Sequence, residues 1–244
     1  PDKINTAAAR EVVGSLECSN ELPVVGSLSL PSVTEIRTRA KDHFATQNRA
    51  VTQLDYETMA YSMPSQFGGI KRCKILKDSD SFKRNLNLYV LAENRNGTLV
   101  AATTALKENL KTWLGNVKMI HDTIDIIDGR IVNYGIQFSV VADSDFNKYQ
   151  VLDACTRALQ RNYSEPLYFG EPVYITDIYS ILNKVRGVVD TYDVRFVKKE
   201  GGLYSDTTFS FEKNMSGDGR YLIVPNNVCM EVKFPTTDIQ GAIR

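Results

Sequence analysis

The sequence has few of the residues that would point to metal binding, redox chemistry or a membrane. Its 244 residues include only two histidines and four cysteines. The cysteines, Cys18, Cys73, Cys155 and Cys229, are far apart and have no paired spacing, so neither a zinc knuckle nor a redox dithiol is predicted. We expect them to be core thiols in a reducing compartment. No apolar run approaches the roughly 18 residues that span a bilayer, and no secretory leader is predicted.

The chain also lacks a net charge. Its 29 basic and 29 acidic residues give a formal net charge of zero. Nucleic-acid-binding proteins usually carry a basic excess, so this balance argues against a bulk nucleic-acid binder. A near-neutral chain associates readily, because little self-repulsion opposes contact. We therefore expect neither nucleic acid nor membrane as a partner.

Motifs of the common enzyme classes are missing as well. There is no G-x-S-x-G, no Walker motif and no G-x-G-x-x-G. His43 follows Asp42 in a predicted helix and His121 precedes Asp122 in a predicted strand, and both histidines are expected at the surface. Together these absences favour a protein without catalytic residues or cofactor. A pair of carboxylates for glycoside cleavage stays open, since their separation is not visible in a sequence.

Two acidic clusters have spacings that resemble those of metal sites. Asp143, Asp145 and Asn147 begin like a calcium loop, but Lys148 replaces the glycine of the sixth position and Ala154 the glutamate of the twelfth. A turn and a helix N-cap explain this cluster better. The other cluster consists of three aspartates in a predicted strand, where they do not share one face: Asp122, Asp125 and Asp128. No metal site is predicted.

The stretch QNRAVTQLDYETMAYSM, residues 47–63, is dense in polar groups and resembles an active site at first sight. Thr52 followed by Asp55 is the signal of a capping box, and Val51 and Tyr56 have the spacing of a hydrophobic staple. Acidic residues in the first turn suit the positive end of a helix dipole. The stretch therefore predicts the start of a helix rather than a catalytic centre.

Hydrophobic periodicity predicts an α+β fold with antiparallel sheets and packed helices. The clearest strand is 132–140, where apolar residues alternate with polar ones over nine positions. Asp128-Gly129 predicts a hairpin between this strand and Ile120–Ile127. The other predicted strands are Ile70–Leu76, Asn87–Glu93, a strand through Tyr192–Phe196, Leu203–Glu212 and Tyr221–Phe234, the last broken near Pro225-Asn226-Asn227. The predicted helices begin near Ser32, Thr52, Thr104, Phe146 and Thr176.

The pattern divides the chain into three parts. Residues 1–31 contain Gly, Ser and Pro without sustained periodicity and are predicted to be a linker-like segment. Residues 32–199 form the α+β body. Residues 200–244 are predicted to form a small C-terminal β appendage that ends in an extended tail.

Two blocks of sequence resemble one protein family, the baseplate J-like wedge proteins of contractile-tailed phages, and especially the C-terminal part of the T4-type members. The blocks are FATQNRAVTQLDYETMA and YFGEPVYITDIYSILNKVRGVVD. The matching positions of the first block are Phe44, Gln47, Asn48, Arg49, Val51, Thr52, Asp55 and Tyr56. Those of the second are Gly170, Glu171, Tyr174, Ile178, Ile181, Val185, Gly187 and Val188. The resemblance covers residues 26–197 and is looser from Leu203 to Arg244.

The resemblance implies a structural role in the virion, after assembly in the host cytoplasm. Members of the family line the inner baseplate, associate with copies of themselves, hold smaller wedge proteins and join neighbouring wedges into a ring. Residues 32–199 would then be the baseplate J-like domain. No catalytic residue comes with the family. The start at Pro1 and the much greater length of T4-type members agree with a C-terminal fragment.

Two further functions stay open from the sequence. One is a tail-associated hydrolase that acts on host polysaccharide, which would need a cleft with convergent acidic residues. The other is a monomeric protein-binding module, which a large exposed apolar patch would favour. In the assembly hypothesis, strands of residues 200–244 would add to the sheet edge of a neighbour.

Overall fold

The computed structural model describes residue 15, residues 28–78 and residues 85–243. The helices are α1 (Val33–Thr46), α2 (Gln53–Tyr61), α3 (Thr104–Gly115), α4 (Lys148–Asn162), α5 (Ile175–Asn183), α6 (Phe211–Asn214) and α7 (Pro235–Asp238), with a short 3-10 turn at Ser65–Phe67. The strands are β1 (Arg72–Lys77), β2 (Asn85–Glu93), β3 (Leu99–Ala101), β4 (Thr123–Asp128), β5 (Arg130–Ala142), β6 (Val173–Tyr174), β7 (Val188–Lys199), β8 (Tyr221–Leu222), β9 (Val228–Glu231) and β10 (Ile239–Ile243). The predicted α+β class is confirmed.

The first sheet is built around β2. Strand β1 pairs antiparallel with β2 along one side, from Arg72 opposite Leu91 to Lys77 opposite Leu86. On the other side β3 pairs antiparallel with the end of β2, and β4 pairs parallel with its beginning. Helices α2 and α3 contribute to one apolar core with this sheet, whose buried side chains include Tyr56, Met59, Ile75, Leu88, Leu106, Leu110 and Leu114.

The second sheet is built around β5, the strand with the clearest alternation. Strand β7 pairs antiparallel with it, from Asn133 opposite Lys199 to Ala142 opposite Val188. Strands β9 and β10 pair parallel with the other side of β5. Helices α4 and α5 complete the larger core, whose buried side chains include Val132, Tyr134, Ile136, Phe138, Val140, Cys155, Leu159, Ile178 and Leu182.

The predicted hairpin at Asp128-Gly129 is wrong. Strand β4 belongs to the first sheet and β5 to the second, so these two residues carry the chain from one sheet to the other. The glycine is needed for a close approach: a Cβ on Gly129 would lie 2.3 Å from Cζ of Phe169. The D-G pair therefore marks a tight crossing between sheets and not a two-residue turn.

The segment from Leu203 to Glu212 was predicted to be a strand, and this prediction is also wrong. Phe209 and Phe211 pack edge to face at 5.6 Å between ring centroids, and the short helix α6 begins directly after Ser210. Aromatic packing thus replaces strand pairing here.

The last ten residues were expected to form an extended tail. Five of them form β10, which lies beside β5 in the second sheet. The division at residue 200 stays a prediction. Most of the predicted linker, residues 1–14 and 16–27, lies outside the described residues.

Candidate assembly surface

The residues that resembled an active site fasten the start of α2. Thr52 Oγ1 accepts a hydrogen bond from the Asp55 amide at 3.2 Å, and Asp55 Oδ2 accepts from the Thr52 amide at 2.8 Å and the Val51 amide at 3.1 Å. This is the predicted capping box. Burial raises the pKa of Asp55, but the hydrogen bonds from Thr52 and Val51 outweigh it, so that the pKa lies below its usual value of 3.8.

Two further polar residues of the same stretch cover the outer edge of β1. Tyr61 Oη accepts a hydrogen bond from the Cys73 amide at 2.9 Å, and Glu57 Oε1 accepts one from the Ile75 amide at 3.1 Å. Glu57 also pairs with Lys74 at 3.2 Å. An edge strand with unpaired amides is a template for association with another chain. Side chains of helix α2 already accept hydrogen bonds from these amides. The outer edge of β1 is therefore not available for pairing with another chain.

Helix α1 is attached to the body by a buried ion pair. Glu35 Oε1 lies 3.0 Å from Nη1 of Arg72 and accepts a hydrogen bond from Tyr168 Oη at 2.8 Å. The Arg72 guanidinium also donates to the Pro166 carbonyl at 2.7 Å and lies 4.3 Å from the centroid of the Tyr168 ring. Burial raises the pKa of Glu35, but the Tyr168 hydroxyl and Arg72 lower it more, and the net shift is downward.

The apolar side chains of α1 point away from the body. Only Glu35 and Thr46 are buried in this helix. Four apolar residues, spaced by three and four positions, share one face and are exposed: Val33 (65 %), Ile36 (51 %), Ala40 and Phe44 (87 %). We call these four residues the α1 stripe. Most amphipathic helices turn this face to the core, and here it faces solvent.

A groove of about 290 Å³ runs beside the stripe, between α1 and α2. Ile36, Ala40 and His43 form one wall, and Thr58 and Tyr61 belong to the other. Arg39 of α1 connects the two walls, because its guanidinium lies 4.2 Å from the centroid of the Tyr61 ring of α2. The stripe and the groove together form a concave apolar surface.

The outer edge of β7 is a second candidate surface. Among the described residues, β7 pairs with β5 alone and is 12 residues long. The register between the two strands shifts at two places, at Tyr192 and at Val189 of β7. These two side chains are 47 % and 65 % exposed. Asp193 and Arg195 alternate along the strand and pair with each other at 3.0 Å. Sequence reasoning missed both this edge and the outward direction of α1.

The histidines lie at the surface, and two aspartates of the cluster in residues 122–128 have structural partners. His43 and His121 are both exposed, as predicted. Asp122 accepts the Tyr56 hydroxyl at 2.6 Å, and Asp128 accepts Lys107 Nζ at 2.6 Å. Within residues 28–78 and 85–243, no group of three or more His, Cys, Asp or Glu side chains could hold a metal ion.

The acidic cluster in residues 143–147 and the described cysteines also agree with their structural interpretation. Asn147 is the N-cap of α4, and its side chain accepts the Tyr149 amide at 3.0 Å. Cys73, Cys155 and Cys229 are buried free thiols, and burial raises their pKa values to about 12, 11 and 12. The fourth cysteine of the sequence lies outside the described residues.

Comparison with solved structures gives a distant likeness. No family model and no curated protein matches the sequence. The fold is similar to one chain of the cryo-EM structure of the anti-feeding prophage (AFP) baseplate, 6-fold symmetrised, with a TM-score of 0.45 and 12 % identity. The match covers 87 % of this chain and 42 % of that one, so this chain spans less than half the length of its neighbour.

None of the described helices combines the length and apolar character that a membrane crossing requires.

Proposed function

We propose that this chain is a structural component of a contractile-tail baseplate wedge, part of the virion, without catalytic activity. It associates with copies of itself and with other wedge proteins, and it joins neighbouring wedges into the inner baseplate ring. The two sequence blocks that resemble baseplate J-like proteins support the baseplate assignment. The observation that carries self-association is the long outer edge of β7.

Pairing of β7 with a second β7 gives a self-complementary contact. If two copies run antiparallel about Val194, Asp193 of each strand lies opposite Arg195 of the other. Opposite charges directly across a strand pair stabilise it by roughly 0.2–1 kcal/mol each, and two-fold symmetry supplies two such pairs. Strand addition of this kind obtains its affinity from main-chain hydrogen bonds and its register from side chains.

The contact element predicted in residues 200–244 is not testable by truncation. Val228, Met230 and Ile239 of this segment are buried in the core of the second sheet. Its removal would therefore unfold that core along with any contact. Substitutions on β7, which directly precedes the segment, leave the core intact and test the same mode of assembly.

The experiment is light scattering coupled to size exclusion over a range of concentrations. We expect the mass to rise from the 27.4 kDa of one chain toward twice that value. Arg195→Glu places like charges across the proposed contact and should weaken the dimer roughly fivefold or more. Asp193→Arg should do the same, and the double exchange should restore association. Arg95→Glu, on an exposed turn, is the matched control.

A strict monomer at high concentration would contradict self-association through β7. So would a dimer that is equally strong in both single variants. The monomeric protein-binding module would then become the better explanation, and the exposed α1 stripe is the observation that favours it.

A further inference from the structure

The charges that flank the α1 stripe have one sign. Arg37 and Lys41 follow one side of the stripe and Arg39 lies on the other, by the 3.6-residue period of the helix. The single acidic residue of α1 besides Glu35 is Asp42, on the opposite face. Because Arg72 neutralises Glu35 in the interior, the solvent-facing half of α1 carries an apolar row with Arg37 and Lys41 on one side and Arg39 on the other.

Two of these cations have no carboxylate partner. Among the described residues Arg37 and Lys41 form no ion pair, although both are exposed. Arg39 is already committed to the face of Tyr61. A positive surface around apolar side chains favours an occupant with the opposite charge, since complementary potentials set the choice of partner.

The shape beside the stripe favours a polypeptide over a lipid surface. The groove between α1 and α2 is concave, with Tyr61 and Thr58 forming its far wall. A flat bilayer would meet the crest of α1 and leave this groove empty. An amphipathic segment can place apolar side chains into the groove at helical spacing and keep its charged side chains outside.

We propose that α1 and the groove beside it bind an acidic amphipathic segment of another protein. Apolar side chains of that segment pack on Ile36 and Phe44, and its carboxylates reach Arg37 and Lys41. A second copy of α1 is a poor occupant, because its own Arg37 and Lys41 would face these cations. The proposal does not depend on self-association through β7.

The buried ion pair explains how α1 can serve this purpose without an apolar anchor. Glu35 and Arg72 hold the helix in place, while Arg39 on Tyr61 keeps it beside α2. A helix attached through its polar side keeps its apolar side for a partner. The attachment thus pre-organises the surface, which lowers the entropy lost on binding.

The test uses a labelled synthetic helix of leucine and glutamate, titrated with the full chain and followed by fluorescence anisotropy. A peptide with lysine in place of each glutamate is the matched probe. We expect the acidic peptide to bind at least about tenfold more tightly than the lysine peptide. Phe44→Ser and Ile36→Ser should each weaken binding by about tenfold or more. Leu203→Ser, at a leucine that is 74 % exposed and far along the chain, should leave it unchanged.

Charge variants measure the electrostatic contribution to the affinity for the peptide. The double variant Arg37→Glu/Lys41→Glu should weaken the acidic peptide roughly tenfold and favour the lysine peptide. Arg95→Glu is the control. Since these side chains are exposed, the variants should keep the circular dichroism spectrum and unfolding midpoint of the parent chain.

Three outcomes would overturn the proposal. The first is equal binding of both peptides, or binding that the α1 variants do not change. The second is binding of phosphatidylserine vesicles that Phe44→Ser abolishes, without binding of the acidic peptide. The third is a dimer mass that Phe44→Ser reduces to that of one chain, which would make a second copy the occupant. Loss of dimerisation in the β7 variants alone would leave this proposal intact.

Discussion

Helices α1 and α4 have 14 and 15 residues, and each carries apolar side chains along one side. In α4 that side is buried, with Val151, Cys155 and Leu159 packed in the core of the second sheet. In α1 it is exposed, and the buried positions are Glu35 and Thr46. The same kind of apolar face is thus packed against the core in α4 and exposed to solvent in α1.

The difference shows that attachment and amphipathicity are separate properties of a helix. Helix α4 is held by burial of apolar area, whose free energy is distributed over many contacts. Helix α1 is held mainly by the Glu35–Arg72 pair with Tyr168 beside it, and the contact of Arg39 with Tyr61 adds a weaker attachment. A single substitution can therefore release α1, whereas in α4 it leaves a cavity.

The largest effect is expected from Arg72→Met. This change leaves the Glu35 carboxylate buried without its cation and the Pro166 carbonyl without its donor. Breaking one partner of a buried pair typically costs about 3–5 kcal/mol of unfolding free energy. Urea unfolding of the full chain measures it. Arg39→Met is the control, because its partly exposed contact with Tyr61 should be worth about 0.5–1 kcal/mol.

Equal costs in these two variants would contradict the Glu35–Arg72 pair as the main attachment of α1. Limited proteolysis tests whether α1 is released locally. In Arg72→Met, cleavage near α1 should increase before the rest of the molecule becomes susceptible to the protease.

A somewhat smaller effect is expected when α4 is tested against α1 directly. Leu159→Ala removes a fully buried side chain and should cost about 3 kcal/mol through lost contacts and a cavity. Ile36→Ala removes a side chain that is 51 % exposed and should change the unfolding free energy by about 0.5 kcal/mol or less. The comparison by urea unfolding fails if Ile36→Ala costs as much as Leu159→Ala, since Ile36 would then be part of a core.

Local patterns in the sequence were sufficient for many of the elements. The capping box of Thr52 and Asp55, the alternation in β5 and the N-cap Asn147 depend on contacts between residues close in the chain. Such contacts are visible in a sequence because spacing decides them. The α+β class follows from the same periods, and it is confirmed.

The pairing of strands and the direction of α1 depend on residues far apart in the chain. Asp128-Gly129 has the composition of a hairpin turn, but Phe169 packs against Gly129 and the chain passes to another sheet. Glu35 meets Arg72 and Tyr168, and no local pattern announces that contact. The candidate surface could not be predicted for this reason: the stripe is visible in the sequence, but the side that it faces is not.

The smallest expected effect distinguishes α1 from the second sheet by the response of stability to acid. Since the pKa of Glu35 lies below its ordinary value of 4.5, the unfolded chain binds a proton before the native chain does as pH falls. The stabilisation by Glu35 is therefore complete above pH 4.5 and is lost as pH falls through the lowered value. Burial raises the pKa of Glu231, which lies in the second sheet, so this residue has the opposite sign: its contribution to stability falls as pH rises through the raised value.

Unfolding free energies measured between pH 6 and the acid limit should thus decrease less steeply in Glu35→Gln than in the parent chain. In Glu231→Gln they should decrease more steeply. Asp55→Asn, which removes the other lowered carboxyl at the start of α2, is a comparison variant with the sign of Glu35. If Glu35→Gln keeps the pH dependence of the parent, the carboxylate does not hold α1. The attachment would then have to lie in Arg39 and Tyr61, and α1 and α2 would form one unit.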